Sequence, residues 1–225
     1  MTIYKRFLQT NMYKLIIREF LTERLKRAVI VDLDIEKTPL GHRVVIVAER
    51  PGLVIGRHGS TLRELERILT QRFGLENPQI AVVPVSAPEL NAKVLASRIA
   101  FALQRGVHFR RAAFIAIRQA MEGGARGIEI TISGKLVTER ARTEKFRSGI
   151  LLKAGHPKEV LVDEAEAFVL LKPGVYGIKV TIMPPEAKFP DQPRIKMPEE
   201  IGEEIKAAPA EGASSKAGEE GGGGS

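Results

Sequence analysis

The chain has 225 residues, 44% of them hydrophobic, no cysteine and a net charge of +8. That length carries one large or two small domains with real cores, while the lack of cysteine excludes disulfides, thiolate zinc sites and a thiol nucleophile, and four scattered histidines offer no metal-ligand spacing. No apolar run is long enough for a membrane span and the N-terminus lacks a signal-peptide core, so the expectation is a cytoplasmic protein with no membrane partner, no cofactor and no small-molecule substrate.

The charge is unevenly spread. Residues 196–225 carry three lysines and seven glutamates, a net of −4, which leaves +12 on the first 195 residues. So basic a body points to a polyanion, because lysine and arginine gain affinity from phosphates chiefly by releasing condensed counterions. Membrane lipid is the rival polyanion. The end of the chain, EEIGEEIKAAPAEGASSKAGEEGGGGS, has almost no large apolar residues to offset its ordering entropy, and residues 191–225 are assigned to a disordered acidic tail.

In chain order, Phe7, Leu8, Met12, Leu15, Ile16, Phe20 and Leu21 recur as on one face of an N-terminal helix between Ile3 and Leu25. The β-branched runs AVIVDLDIEKT and HRVVIVAER, joined through Pro39-Leu40-Gly41, predict a hairpin. A helix follows, capped by Ser60 or Thr61, with Thr61 and Glu64 spaced as a capping box; Leu62, Leu65, Ile68, Leu69 and Phe73 form its buried face and Gly74 stops it. A strand at QIAVVPV and a helix from about Leu90 to Gln104 complete an α-β-β-α-β-α unit over residues 1–106.

The second unit, residues 107–190, opens with FRRAAFIAIRQAMEGG. Phe109, Ala112, Ala113, Ala116, Ile117, Ala120 and Met121 share one helical face, and Gly123 and Gly124 end the helix. Strands are predicted at GIEITISGKL, EVLVDEAEAFVLL and GVYGIKVTIMP, with polar links between them. The fold class is α+β, the second unit being one helix over a small, mainly antiparallel sheet.

Three G-x-x-G tetrads occur. Gly124-Ala-Arg-Gly127 follows a helix and is explained by capping, and Gly174-Val-Tyr-Gly177 follows Pro173 and reads as a turn. Gly56-Arg57-His58-Gly59 differs: it has an apolar lead-in, two basic residues in the middle and a helix directly behind. Glycines let a nucleotide chain approach the backbone, and a helix N-terminus adds unpaired N–H groups and partial positive charge. The plain alternative is a tight turn between an extended segment and a helix. A Walker loop is excluded because serine follows Gly59 with no lysine behind it, and the dinucleotide-binding fingerprint is absent.

Val54-Ile-Gly-Arg-His-Gly-Ser60 within its α-β-β-α-β-α unit resembles the type II KH domain, whose G-x-x-G loop clamps single-stranded nucleic acid. Phe109-Arg-Arg-Ala112, Gly124-Ala-Arg-Gly-Ile128, Ile132-Ser-Gly-Lys-Leu136, Ala141-Arg-Thr-Glu144 and Gly177-Ile-Lys-Val180 resemble, in order and spacing, the small-subunit ribosomal protein S three family, over roughly residues 1 to 190. The compact link from ISGKL to RTEKF and the acidic tail look like its archaeal and eukaryotic branch. The resemblance implies a structural, non-enzymatic protein of the small-subunit head that touches ribosomal RNA and neighbouring head proteins. It also implies that basic residues at the start of the second domain's helix line the mRNA entrance and help open structured message. On this chain those are Arg110 and Arg111. One position departs: the bacterial pattern has a lysine one turn later, where this chain has Phe114.

Independently of any family, helical angle sets Arg111 and Arg118 opposite the apolar face and Arg110 at its border. Guanidinium groups fork onto phosphates or stack on bases without choosing a sequence; the bland reading is a solvated helix face. Lys135, Arg140, Arg142, Lys145 and Arg147 form a second basic cluster in and after the polar link, either a ribosomal RNA contact or a solubilising loop. Asp32, Asp34 and Glu36 read as a solvated strand face and are given no chemistry, and His42, His108 and His156 each stand alone. Two rival functions remain, a free KH-type regulator reading short single-stranded RNA and a metal-dependent nuclease built on the acidic strand.

Overall fold

The computed structural model of the protein describes residues 3–39 and 41–187; Leu40 and the tail assigned as disordered lie outside them. Helix α1 (Ile3–Arg24) leads into strands β1 (Ile30–Thr38) and β2 (Gly41–Ala48), which pair antiparallel as the hairpin predicted. Helices α2 (Pro51–Ile55) and α3 (Ser60–Phe73) then carry the chain over to β3 (Gln79–Pro84), which joins β2 in parallel, so the sheet order is β1-β2-β3. Val44, Ile46 and Ala48 alternate into a core with Val54 of α2, Leu65 and Leu69 of α3, and Ile17 and Leu21 of α1.

Helix α1 departs from its predicted face. Leu21 is buried and Phe20 packs against Phe73 with ring centroids 5.4 Å apart, but Phe7, Leu8, Met12, Leu15 and Ile16 are exposed. The core reaches only the C-terminal turns of the helix, through Ile17, Leu21 and Leu25. Lys14 and Arg18 of α1 pair with Asp34 at 3.4 Å and Asp32 at 3.7 Å, so these strand acids face cations of the protein itself.

The second core lies beneath α4 (Ala92–Gln104) and α5 (Phe109–Glu122), which cover one face of a four-stranded sheet. Its strands, β4 (Gly127–Gly134), β5 (Arg142–Gly149), β6 (Asp163–Leu171) and β7 (Gly174–Met183), run in the order β5-β4-β7-β6 with every neighbouring pair antiparallel. Ile128, Ile130 and Ile132 of β4 and Ile178, Val180 and Ile182 of β7 are fully or almost fully buried in it.

Three expectations are corrected here. Helix α4 does not complete the first unit: Ala92, Leu95, Ala96, Ile99 and Leu103 lie in the second core, where α4 seats on β6 and β7 and α5 on β4 and β5. Two helices therefore cover the second sheet rather than one. The polar link RTEKFRSG is strand β5, held by eight residue pairs with β4 from Gly127↔Gly149 to Gly134↔Arg142. The start of EVLVDEAEAFVLL belongs to a short helix, α6 (His156–Leu161), with Pro157 in its first turn, and the strand begins at Asp163.

Helix α4 is also the bridge between the cores. Asn91 caps it by accepting from the Lys93 and Val94 amides at 3.1 and 3.2 Å, and Asp163 of β6 accepts from the Ala92 amide at 2.8 Å. On its other side Arg98 Nε lies 2.8 Å from Glu49 Oε1, whose side chain is only 7% exposed, and Lys93 Nζ donates to the Val31 carbonyl at 3.2 Å. Burial, reinforced by the Arg18 charge, holds the Lys93 ammonium pKa below its ordinary value, and the nearby Asp32 partly opposes this.

Candidate nucleic-acid interface

The Gly56–Gly59 loop is a single tight turn between α2 and α3. Gly56 takes φ +74° and ψ −179°, Arg57–Gly59 form one 3₁₀ turn with His58 in left-handed backbone at φ 50°, and Gly59 occupies the N-cap of α3 at φ 74°. The predicted capping box does not form. Thr61 Oγ1 sits where a side chain on Gly56 would have to go, 2.2 Å from an ideal Cβ there, and Glu64 is drawn away to Arg24 at 2.5 Å. No side chain caps α3, and its first turn contains no acid. Its N-terminal amides and helix dipole are thus left for an anion from outside.

Cations surround that end. Arg57 and His58 are exposed, and Arg63, one turn into α3, donates through Nη2 to the His58 carbonyl at 2.9 Å and so braces the loop. Past Gly59 a Cβ would meet nothing closer than Arg63 Nε at 4.0 Å, which leaves open space against the backbone. A shallow groove continues between α3 and the start of β3, lined by Arg63, Glu66, Arg67, Thr70, Gln71 and Pro78. Beside it β3 is one of the two outer strands of the sheet.

The second basic group stands on α5. Arg110, Arg111 and Arg118 are all exposed. Arg110 is engaged within the protein: its Nε and Nη2 each lie 3.3 Å from one carboxylate oxygen of Glu144 on β5, and its guanidinium rests 5.6 Å from the Phe109 ring centre. Among the described residues no ion pair involves Arg111 or Arg118. Phe114, one turn after Arg110, is 61% exposed and stands T-shaped against Phe146 of β5 at 5.5 Å.

Strand β5 divides the remaining cluster. Lys135 and Arg140 lie in the loop before it, and Arg142 shares the helix-side face with Glu144 and Phe146. Lys145 and Arg147 point to the opposite, open face, so these five residues do not form one patch. On that face Lys179 of β7 pairs with Glu164 of β6, and the hydrogen bond it donates to this carboxylate holds its pKa above the ordinary lysine value.

Two family profiles match the chain in succession, a KH domain over residues 16–90 and the C-terminal domain of ribosomal protein S3 over residues 99–182. Small ribosomal subunit protein uS3 of Pyrobaculum aerophilum is 51% identical over 199 residues, covering 87% of this chain and 91% of that protein. The chain belongs to the uS3 family. The uS3 of Methanocaldococcus jannaschii is 46% identical over 88% of this chain and 96% of its own length, and that of Sulfurisphaera tokodaii is 49% identical over 81% of each. In this uS3-family chain the KH match contains the glycine loop and its groove, and the S3 match contains α5 and the divided basic cluster.

Arg63 and Arg67 were missed from sequence as part of this interface. Their signal was the i, i+4 spacing on the polar side of α3, directly behind the loop. Among the described residues no group of acids and histidines is placed to hold a metal ion, and no helix is long and apolar enough to cross a membrane.

Proposed function

We propose that the protein is a structural constituent of the small ribosomal subunit in the cytoplasm. It binds ribosomal RNA and neighbouring head proteins, has no active site of its own, and contributes α5 to the mRNA entrance. The observation that carries the entrance role is the outer face of α5, where Arg111 and Arg118 stand exposed with no ion-pair partner among the described residues while Arg110 is braced on Glu144. Guanidinium groups held on a rigid helix contact phosphates irrespective of sequence, as a channel that passes every message requires. The device is passive: phosphate contacts hold the strand already opened, and translocation supplies the work.

The test is translation by ribosomes carrying Arg111→Ala with Arg118→Ala, on messages with and without a hairpin placed at the entrance. The expected result is intact subunits, unchanged rates on unstructured message and slowed passage through the hairpin. Equal rates on both messages would remove the channel role from this helix.

The glycine loop supports a second mode of RNA binding. The uncapped start of α3, with Arg57, His58, Arg63 and the groove behind them, suits a single-stranded phosphodiester backbone. A free KH-type regulator would use this surface alone and act away from the ribosome.

A further inference from the structure

Phe114 is out of place as a hydrophobic residue. Of the five large apolar side chains of α5, Phe109 and Ile117 are buried and Phe114, Ile115 and Met121 are exposed; Phe114 is the most exposed, at 61%, on the same side of the helix as the arginines. Exposure of a ring this size forgoes much of the stabilisation that its burial would bring. Nor is it a loosely held surface group, because it stands edge-on to Phe146, which in turn packs 6.4 Å from Phe109. The Arg110–Glu144 fork ties α5 to β5 beside them.

The charged residues of α5 that flank the ring are of one sign, with the exposed Ile115 between them. Arg111 lies three residues before Phe114 and Arg118 four residues after, so a cation, an aromatic ring and a second cation follow one another over about 10 Å of helix. The neighbouring acid, Glu144, is already neutralised by Arg110. An apolar protein partner would meet at the edge of its contact two arginines that no described residue pairs with, whereas a single RNA strand presents a base to the ring and phosphates to the guanidiniums.

We propose that Phe114 is a base-stacking platform for single-stranded RNA, with Arg111 and Arg118 holding the phosphates on either side. This rests on the reading of α5 as an RNA-contacting helix and adds contact with the bases to contact with the backbone. Because every base offers a π face, the platform grips without selecting sequence.

The test is binding of the full chain to fluorescent octauridylate and to an abasic ribose-phosphate octamer of the same length. Phe114→Leu, which keeps an apolar side chain against Phe146, is the main variant; Phe114→Ala and Phe114→Tyr accompany it. Leucine and alanine are expected to weaken octauridylate binding about fivefold or more and leave the abasic octamer unchanged, while tyrosine retains both. Arg111→Ala with Arg118→Ala weakens both probes. Unchanged octauridylate binding by Phe114→Leu, or equal losses on the two probes, overturns the stacking role. If the arginine pair alone weakens binding, stacking is refuted while the helix keeps its phosphate contacts. Because this assay needs no ribosome, its outcome is separate from that of the hairpin test.

Discussion

Gly56 and Gly59 flank one turn, but the reasons they are glycine differ. At Gly56, φ +74° with ψ −179° is a region that glycine alone occupies readily, and any Cβ would collide with Thr61, whose backbone nitrogen is 3.0 Å away. At Gly59 the backbone is left-handed but the space beside it is empty. Gly56→Ala is therefore expected to cost about 2–3 kcal/mol in urea unfolding, and Gly59→Ala about 1 kcal/mol. RNA binding separates them further: Gly59→Ala places a methyl group in the open approach and weakens binding more than its small loss of stability accounts for. Equal stability losses at the two positions would contradict this division. The sequence made the tetrad legible, including its basic centre and the helix behind it. Its capping was not legible, because Thr61 and Glu64 have the spacing of a capping box while their partners, Gly56 and Arg24, are set by tertiary packing.

Elements with strong periodicity are legible in their own residues, apart from Met121 at the end of α5, which is exposed, and the other departures have a common physical cause. The hairpin β1–β2, helix α3 and helix α5 each show their burial pattern in their own residues. Strand β5 does not: RTEKFRSG contains one large apolar side chain, Phe146, and its extended form comes from the ladder with β4. Helix α4 was read as a helix, yet its apolar face does not say which sheet it will meet. Likewise α1 has more apolar surface than its own fold covers, and spacing alone cannot distinguish Ile17, which is buried, from Ile16, which is not. At this scale the test falls on α4 as the bridge. Arg98→Ala leaves the Glu49 carboxylate buried without its 2.8 Å partner and is expected to cost about 2–3 kcal/mol, read by chemical denaturation. Glu49→Gln with Arg98→Met, which removes both charges, restores much of that loss. If the single and double variants are equally unstable, the pair contributes packing rather than charge compensation.

For the molecule as a whole, the +12 body has two cores, and each presents basic residues on a helix that the core holds rigid. The KH part offers a backbone loop, a helix start and a groove; the second part offers the arginine face of α5. Neither arrangement orders a nucleophile, a general base or a metal cluster among the described residues. Both suit the proposed role of holding a nucleic-acid backbone in a ribonucleoprotein. Residence in the small ribosomal subunit is tested by sedimentation of native cell lysate in moderately high salt with immunodetection of this chain across the gradient. Near-stoichiometric co-migration with small subunits is the expected result. Recovery mainly in the light fractions would contradict it and leave a free KH-type RNA-binding protein in its place.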